Sequence, residues 1–190
     1  MFPHYPWEAK MEQDIQFEPT VGREDLLIAG KDDAFREMVH NLLAFSARLE
    51  QIRSRFGAFV GLSGVQYTLL ISIRQLQSER GVGVRALADP LAFSPPFVTS
   101  ETTKLVKLGL VTKTPNPDDQ RRVHMRVSDK GTALLSQLAP VQQEVNDLLF
   151  EPVNAANYAL VRQLAASLRA SAEKAVLLSD YLVGTERSDQ

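Results

Sequence analysis

The 190-residue sequence contains no cysteine. A disulfide framework, thiolate metal sites and thiol redox chemistry are therefore excluded. Histidine is scarce as well. His4, His40 and His124 fall in three separated stretches, so neither a metal cluster nor a Ser/His/Asp set has the spacing it needs. No apolar run approaches the length of a membrane span, and the opening MFPHYPWEAK lacks the positive start and apolar run of a secretion signal. A cytoplasmic protein without metal or cofactor is expected. Net charge is small, −2 at pH 7, so the molecule is no polycation and any field for nucleic acid must be local. The carboxylate pair Asp118-Asp119 stands in turn chemistry beside Arg121 and Arg122, with no cleft to raise a pKa. An enzyme is not expected.

Apolar residues make up 44% of the chain, enough for a sizeable core in one large domain or two small ones. From Asp32 to Phe59 they recur at steps of three and four (Phe35, Met38, Val39, Leu42, Phe45, Leu49, Ile52, Phe56, Phe59), which predicts a long amphipathic helix. Ser63-x-x-Gln66 is a capping box opening a second helix with Val65, Leu69, Ile73 and Leu76 inward. Gly81 and Gly83 break it. The GVGVR run is no dinucleotide loop, because no long strand precedes it and no acid follows at the right distance. Val82 to Val84 reads instead as a short strand.

The stretch from Val84 to Gly131 organises the rest. It opens with two helices joined by a tight turn. Ala86, Leu87 and Leu91 carry the apolar face of the first, and Val98, Leu105 and Leu108 that of the second. Ser94 is placed as an N-cap, Pro95 suits the first helical position, and Gly109 reads as the C′ glycine. Leu110 to Lys113 then reads as a strand, Pro115 to Gln120 as a turn, and Val123, Met125 and Val127 as the inward positions of a returning strand. Between Leu91 and Arg126, Lys104, Lys107, Lys113, Arg121, Arg122 and Arg126 outnumber Glu101, Asp118 and Asp119, which puts a basic face on an otherwise acidic body. Helix, turn, helix and basic hairpin together form a unit that sets one helix in a DNA major groove with a wing beside it.

Ser128 is the N-cap of a further helix, with Leu134, Leu138, Val141, Val145 and Leu148 as a coiled-coil-like seam and Pro140 expected to kink it. A last helix from about Asn154 to Leu182 carries Leu160, Val161, Leu164, Leu168, Ala172, Ala175 and Tyr181 on one stripe. Residues 1–31 read as an irregular, aromatic-rich arm, and the tail at 184–190 as disordered.

Leu87-Ala88, Ser94-Pro95, Gly109-Leu110-Val111, Asn116-Pro117, Asp119-x-Arg121 and Gly131 follow one another in the order and spacing of the MarR family of winged helix-turn-helix transcription regulators, which this sequence resembles over about a quarter of its length. The resemblance implies a mainly α fold with a small β-hairpin wing (α+β). A winged helix-turn-helix domain at 61–131 would be fused to dimerisation helices at 32–60 and 132–183. It also implies a homodimer on a pseudo-palindromic double-stranded DNA operator, most often as a repressor released by a small molecule. The residues it would bring to DNA are Ser94, Pro95, Pro96, Phe97, Thr99, Ser100, Lys104, Lys107, Asp119, Arg121 and Arg122. His40, Arg48, Tyr67 and Arg74 are the polar groups expected around an effector, for which an aromatic acid would be suited. The sequence departs from the family pattern at Gln120 and Ser100, where arginine is common, at Glu101, where an apolar residue is usual, and at Pro90 inside the supporting helix. A dimeric protein-interaction module that binds no DNA is the alternative, and the basic wing argues against it.

Overall fold

The computed structural model describes residues 18–116 and 119–186, the side chains of 119–122 and 185–186 excepted. Most of the predicted arm (1–17), the end of the predicted tail (187–190) and Pro117 and Asp118 lie outside the described residues. The chain divides into two compact units, one ending at Gly131 and the other starting at Thr132.

In the first unit, helix α1 (Asp33–Phe59) follows the predicted periodicity. Asp32, at its N-cap, does not cap the helix. Its carboxylate turns back to accept from the Thr20 amide at 2.7 Å, the Thr20 hydroxyl at 2.8 Å and the Arg36 guanidinium at 3.0 Å. The incoming chain is thereby tied to the first helical turn. The Thr20 amide, then the Arg36 side chain, hold the Asp32 carboxyl down at about 2, below its ordinary 3.8. A depressed carboxylate supports the fold fully above its ordinary pKa and loses that support as pH falls through the folded value. The tie is therefore expected to stand above pH 3.8 and to dissolve toward pH 2. An NMR titration of the Asp32 carboxyl carbon checks this, and a midpoint at the ordinary value would mean that the tie does not persist in solution.

Helix α2 (Gly64–Leu76) leaves α1 at 91°. Both bonds of the predicted capping box form, Gln66 N–H to Ser63 Oγ at 3.2 Å and Ser63 N–H to Gln66 Oε1 at 3.1 Å. Leu69, Leu70 and Ile73 are wholly buried, whereas Leu76, expected inward, is 45% exposed at the helix's last residue. After the short strand β1 (Val82–Gly83) comes helix α3 (Val84–Ala88), which buries Leu87 and Ala88 and exposes Ala86. Pro90 has the expected effect: the α-helix stops at Ala88, and Asp89–Leu91 is a tighter 3-10 turn.

Helix α4 (Pro95–Lys107) and strands β2 (Val111–Asn116) and β3 (Asp119–Val127) complete the unit. The sheet is antiparallel in the order β1-β3-β2, with Val82 opposite Met125 and Val111 opposite Val127. Its hairpin is longer than the turn chemistry implied. Pro115 and Asn116 belong to β2, and Asp119 and Gln120 to β3. Proline is tolerated there because β2 is an edge strand, and the register shifts beside it, between Pro115 and Asn116. Leu87, Val98, Leu105 and Met125 are fully buried in the core that these elements share, each contributing about 1.5–3 kcal/mol of burial.

Helix α5 (Asp129–Leu149) opens at the predicted cap, with Gly131 N–H to Ser128 Oγ at 3.0 Å. Its glycine at 131 is a packing requirement. A Cβ there would lie 2.3 Å from the Leu110 carbonyl oxygen and 2.8 Å from Val127 Cγ1. Alanine normally stabilises a helical position by about 1 kcal/mol over glycine. Here the sign reverses, and Gly131→Ala is expected to destabilise by about 1–3 kcal/mol, read as a lower melting temperature.

In the second unit α5 continues through Pro140 as one helix and buries Leu135 and Leu138. The predicted seam is shifted by one residue at each end: Leu134 is only half-buried and Leu148 is 74% exposed. Helix α6 (Tyr158–Glu186) starts later than predicted because Asn154 and Asn157 build a turn ahead of it, Asn154 N–H donating to Asn157 Oδ1 at 2.8 Å. Its predicted stripe is exposed, Leu160, Leu164 and Leu168 all by more than half. Among the described residues no single helix is long and apolar enough to cross a membrane.

Candidate nucleic-acid interface

Helix α4 is fixed at both ends by its own sequence. Ala92 takes a left-handed conformation, φ 52°, and turns the chain out of the 3-10 segment toward Ser94. Ser94 Oγ then accepts from the Phe97 N–H at 3.4 Å, with Pro95 at the first helical position as expected. At the other end Gly109, φ +73°, forms a Schellman closure: its N–H reaches Val106 O at 2.9 Å, and the Leu110 N–H reaches Leu105 O at 3.0 Å. The α5 start reinforces that end, since the Ser128 hydroxyl donates to Gly109 O at 2.6 Å and Lys130 Nζ to Leu108 O at 2.8 Å. A cation on the last carbonyls also complements the helix dipole. Leu108, expected inward, is the C-cap residue and 45% exposed.

Val98, Thr102 and Leu105 form the buried face of α4. The Thr102 hydroxyl is satisfied by the Val98 carbonyl at 2.7 Å. Pro96, Phe97, Thr99, Ser100, Lys104 and Lys107 are all exposed. Phe97 stands edge-to-face on Phe93, centroids 5.2 Å apart, so its ring is braced across the helix start. The Thr99 hydroxyl donates to Pro95 O at 2.9 Å, leaving its oxygen lone pairs and methyl group to face outward chemistry. No arginine stands on this face, so α4 lacks the guanidinium fork that reads guanine O6 and N7 together.

The basic residues divide by task. Lys113, on β2, donates to Thr103 Oγ1 at 3.0 Å and stitches the sheet to α4; burial pushes its pKa down. Arg126 is engaged by the carbonyls of Ser78 and Glu79. Both serve the fold. Lys104 is held by Glu101, Nζ to Oε1 at 2.6 Å. Lys107 is exposed in the last turn of α4, and the backbone of β3 carries Asp119, Arg121 and Arg122. Glu101 stands where an apolar residue is usual and is 9% exposed. Its second oxygen accepts from Gln66 Nε2 at 3.4 Å. Phe93, Lys130 and the Gln66 partnership carried no signal in local sequence, and Lys113, counted there with the basic face, is tied to Thr103 instead.

The residues expected around an effector are not gathered by the single chain. Tyr67 is 2% exposed and belongs to the core, edge-to-face with Phe56 and beneath the Arg53 guanidinium at 5.5 Å. Its run of apolar neighbours on α2, rather than its hydroxyl, decides its place. His40, Arg48 and Arg74 are exposed, and Arg48 binds Gln51 at 3.0 Å. A shallow cavity of about 390 Å³ on α1 is lined by Ala34, Glu37, Met38, Asn41 and Leu42, none of them in the expected set. Among the described residues no group of acids and histidines could hold a metal ion.

Residues 62–123 match the model of the MarR family. Over 109 residues the chain is 29% identical to the uncharacterized HTH-type transcriptional regulator YhbI of Bacillus subtilis (strain 168), covering 57% of this chain and 69% of that one. It is 28% identical over 96 residues to the HTH-type transcriptional regulator FarR of Neisseria gonorrhoeae, covering 50% and 66%. Among solved structures, a cysteine-to-serine mutant of E. coli MarR complexed with operator DNA superposes with a TM-score of 0.56 at 21% identity, covering 72% of this chain and 98% of that one. That likeness is one of fold.

Proposed function

Since the chain belongs to the MarR family of DNA-binding transcription regulators, we propose that it works as a cytoplasmic homodimeric repressor on a pseudo-palindromic operator. The observation that carries this reading is the exposed polar face of α4 beside an antiparallel hairpin whose returning strand holds Arg121 and Arg122. In the proposed complex Pro96, Phe97, Thr99 and Ser100 meet the major groove while Ser94 and Pro95 set the helix entry. Lys107 meets phosphate, and Arg121 or Arg122 meets the minor groove. Thr99, its proton committed to Pro95 O, would accept from a base amino group, and Phe97 would contact a thymine methyl. With no arginine on the helix, DNA shape carries a large part of the discrimination.

A second copy of the chain accounts for the uncovered apolar surface. Met38, Leu42 and Phe45 on α1 are 40–46% exposed, and Leu160, Leu164 and Leu168 on α6 by more than half. Exposed apolar stripes of this kind mark an interface. Two-fold symmetry then sets the recognition helices about one DNA turn, roughly 34 Å, apart. An effector, in this reading a small aromatic acid, releases the operator by favouring a conformer with another helix separation, which requires differential affinity for the two states. His40, Arg48 and Arg74 offer it cationic partners. Selection of bound sequences from a random duplex pool, with light scattering for the oligomeric state, tests the proposal. An enriched pseudo-palindrome bound by a dimer supports it. A folded dimer that enriches nothing would instead favour a protein-interaction module.

A further inference from the structure

Glu101 and Lys104 form the one charged pair on α4 whose acid is turned inward. The Glu101 side chain is 12% exposed and that of Lys104 55%. Both carboxylate oxygens have partners from different elements, Oε1 the Lys104 ammonium at 2.6 Å and Oε2 the Gln66 amide at 3.4 Å. Gln66 is itself fixed, because its own oxygen accepts from the Ser63 N–H in the α2 capping box. A continuous set of polar contacts thus runs from the start of α2, across its packing against α4, to an ammonium on the exposed face of α4. The arrangement leaves the carboxylate little freedom to follow Lys104 elsewhere.

We infer that Glu101 is a positioning residue that tethers Lys104 and restrains its use as a phosphate contact, lowering the protein's sequence-independent affinity for DNA. The inference rests on the reading of α4 as the DNA-facing helix. A lysine strengthens DNA binding by releasing a condensed counterion, and that gain depends on the charge it brings to the phosphate. An ammonium already neutralised at 2.6 Å by a partly desolvated carboxylate brings little. Phosphate contacts position without specifying. Restraining one therefore shifts the balance toward the contacts of Thr99 and Ser100, which would read bases. This is of consequence on a face without arginine, where each base contact is modest and non-specific binding competes directly.

The test uses the full-length protein, a fluorescein-labelled mixed-sequence duplex of about 30 base pairs, and anisotropy titrations over a salt series. Glu101→Gln keeps the shape and the acceptor for Gln66 while removing the charge. It is expected to raise affinity on the order of tenfold at about 0.1 M salt and to steepen the slope of log K against log salt by about one for each bound chain. Lys104→Ala alone is expected to change affinity by less than about twofold, and in the Glu101→Gln background to cancel the gain, since the lysine makes its phosphate contact only there. The tether is overturned if Glu101→Gln leaves affinity and slope unchanged, or if Lys104→Ala alone flattens the slope by about one unit. The second arm holds even if Glu101→Gln fails to fold, because Lys104 is exposed. Wild-type protein that binds no duplex at low salt would bring down the DNA reading and the tether together. Wild-type binding with an inert Glu101→Gln would bring down the tether alone.

Discussion

Alanine at both Arg121 and Arg122 will lower DNA affinity on the order of 10³-fold at about 0.1 M salt and flatten its salt dependence. The expectation follows from the division of labour among the cations. Lys113 and Arg126 are occupied by the fold, Lys104 by Glu101, and the net charge of the chain is −2. The wing arginines and Lys107 are therefore among the cations left free of these ties to approach a phosphate in the proposed complex. A dimer that neutralises roughly six to ten phosphates loses about 10³ to 10⁵ in affinity between 50 and 200 mM salt. In the proposed dimer, removing two arginines from each chain lowers the slope of log K against log salt by about three to four. Arg126→Ala provides the contrast. Its guanidinium is bound to Ser78 O and Glu79 O, so its loss is expected to lower stability while leaving the salt slope unchanged. Anisotropy titrations at several salt concentrations, beside thermal melts, separate the two effects. Equal salt slopes for the double arginine variant and the wild-type protein would remove the wing from the interface.

Sequence foretold the points at which this fold is punctuated, because capping chemistry is local. Ser63 with Gln66, Ser94 with Pro95, Gly109, and Ser128 all act within a few residues of themselves, and each performs the predicted role. The hydrophobic stripes were legible in phase but not in extent. Helical period assigns Leu76 and Leu108 to the same faces as Ile73 and Leu105, yet both lie where the helix ends and are exposed. Periodicity states which way a side chain points and not whether a neighbouring element reaches it. Tyr67 failed in the opposite direction, a polar tip on a ring that packs with Phe56.

At the candidate site, the exposed residues of α4 could be named from position because the N-cap fixes the phase of the helix. What each cation does could not. Lys113 and Arg126 have partners far away in the chain, and Glu101, visible as a charged residue in an apolar position, gives no hint of Gln66. Such pairings depend on tertiary approach, which one sequence does not record. They decide which of the basic residues remain to meet a phosphate.

Leu105 and Leu108 convert the difference between phase and extent into a measurable pair. Leu105 is fully buried where α4 meets α2, α3 and β2, and its carbonyl accepts the Leu110 N–H of the Schellman closure. Leu110 is buried as well, at 3% exposure, which supplies the apolar contact that accompanies this closure. Leu105→Ala therefore removes core volume at the point that also terminates the helix, and is expected to cost about 2–5 kcal/mol. Leu108→Ala, at a C-cap residue 45% exposed, is expected to stay within about 0.5 kcal/mol. Urea unfolding at one fixed protein concentration measures both, since the midpoint would move with concentration for the proposed dimer. A lowered midpoint at unchanged slope for Leu105→Ala is the expected signature of lost stability in an unaltered fold. Comparable losses at the two positions would mean that Leu108 is covered by a surface beyond this chain, and α4 would then have to approach DNA with its C-terminal turn already occupied.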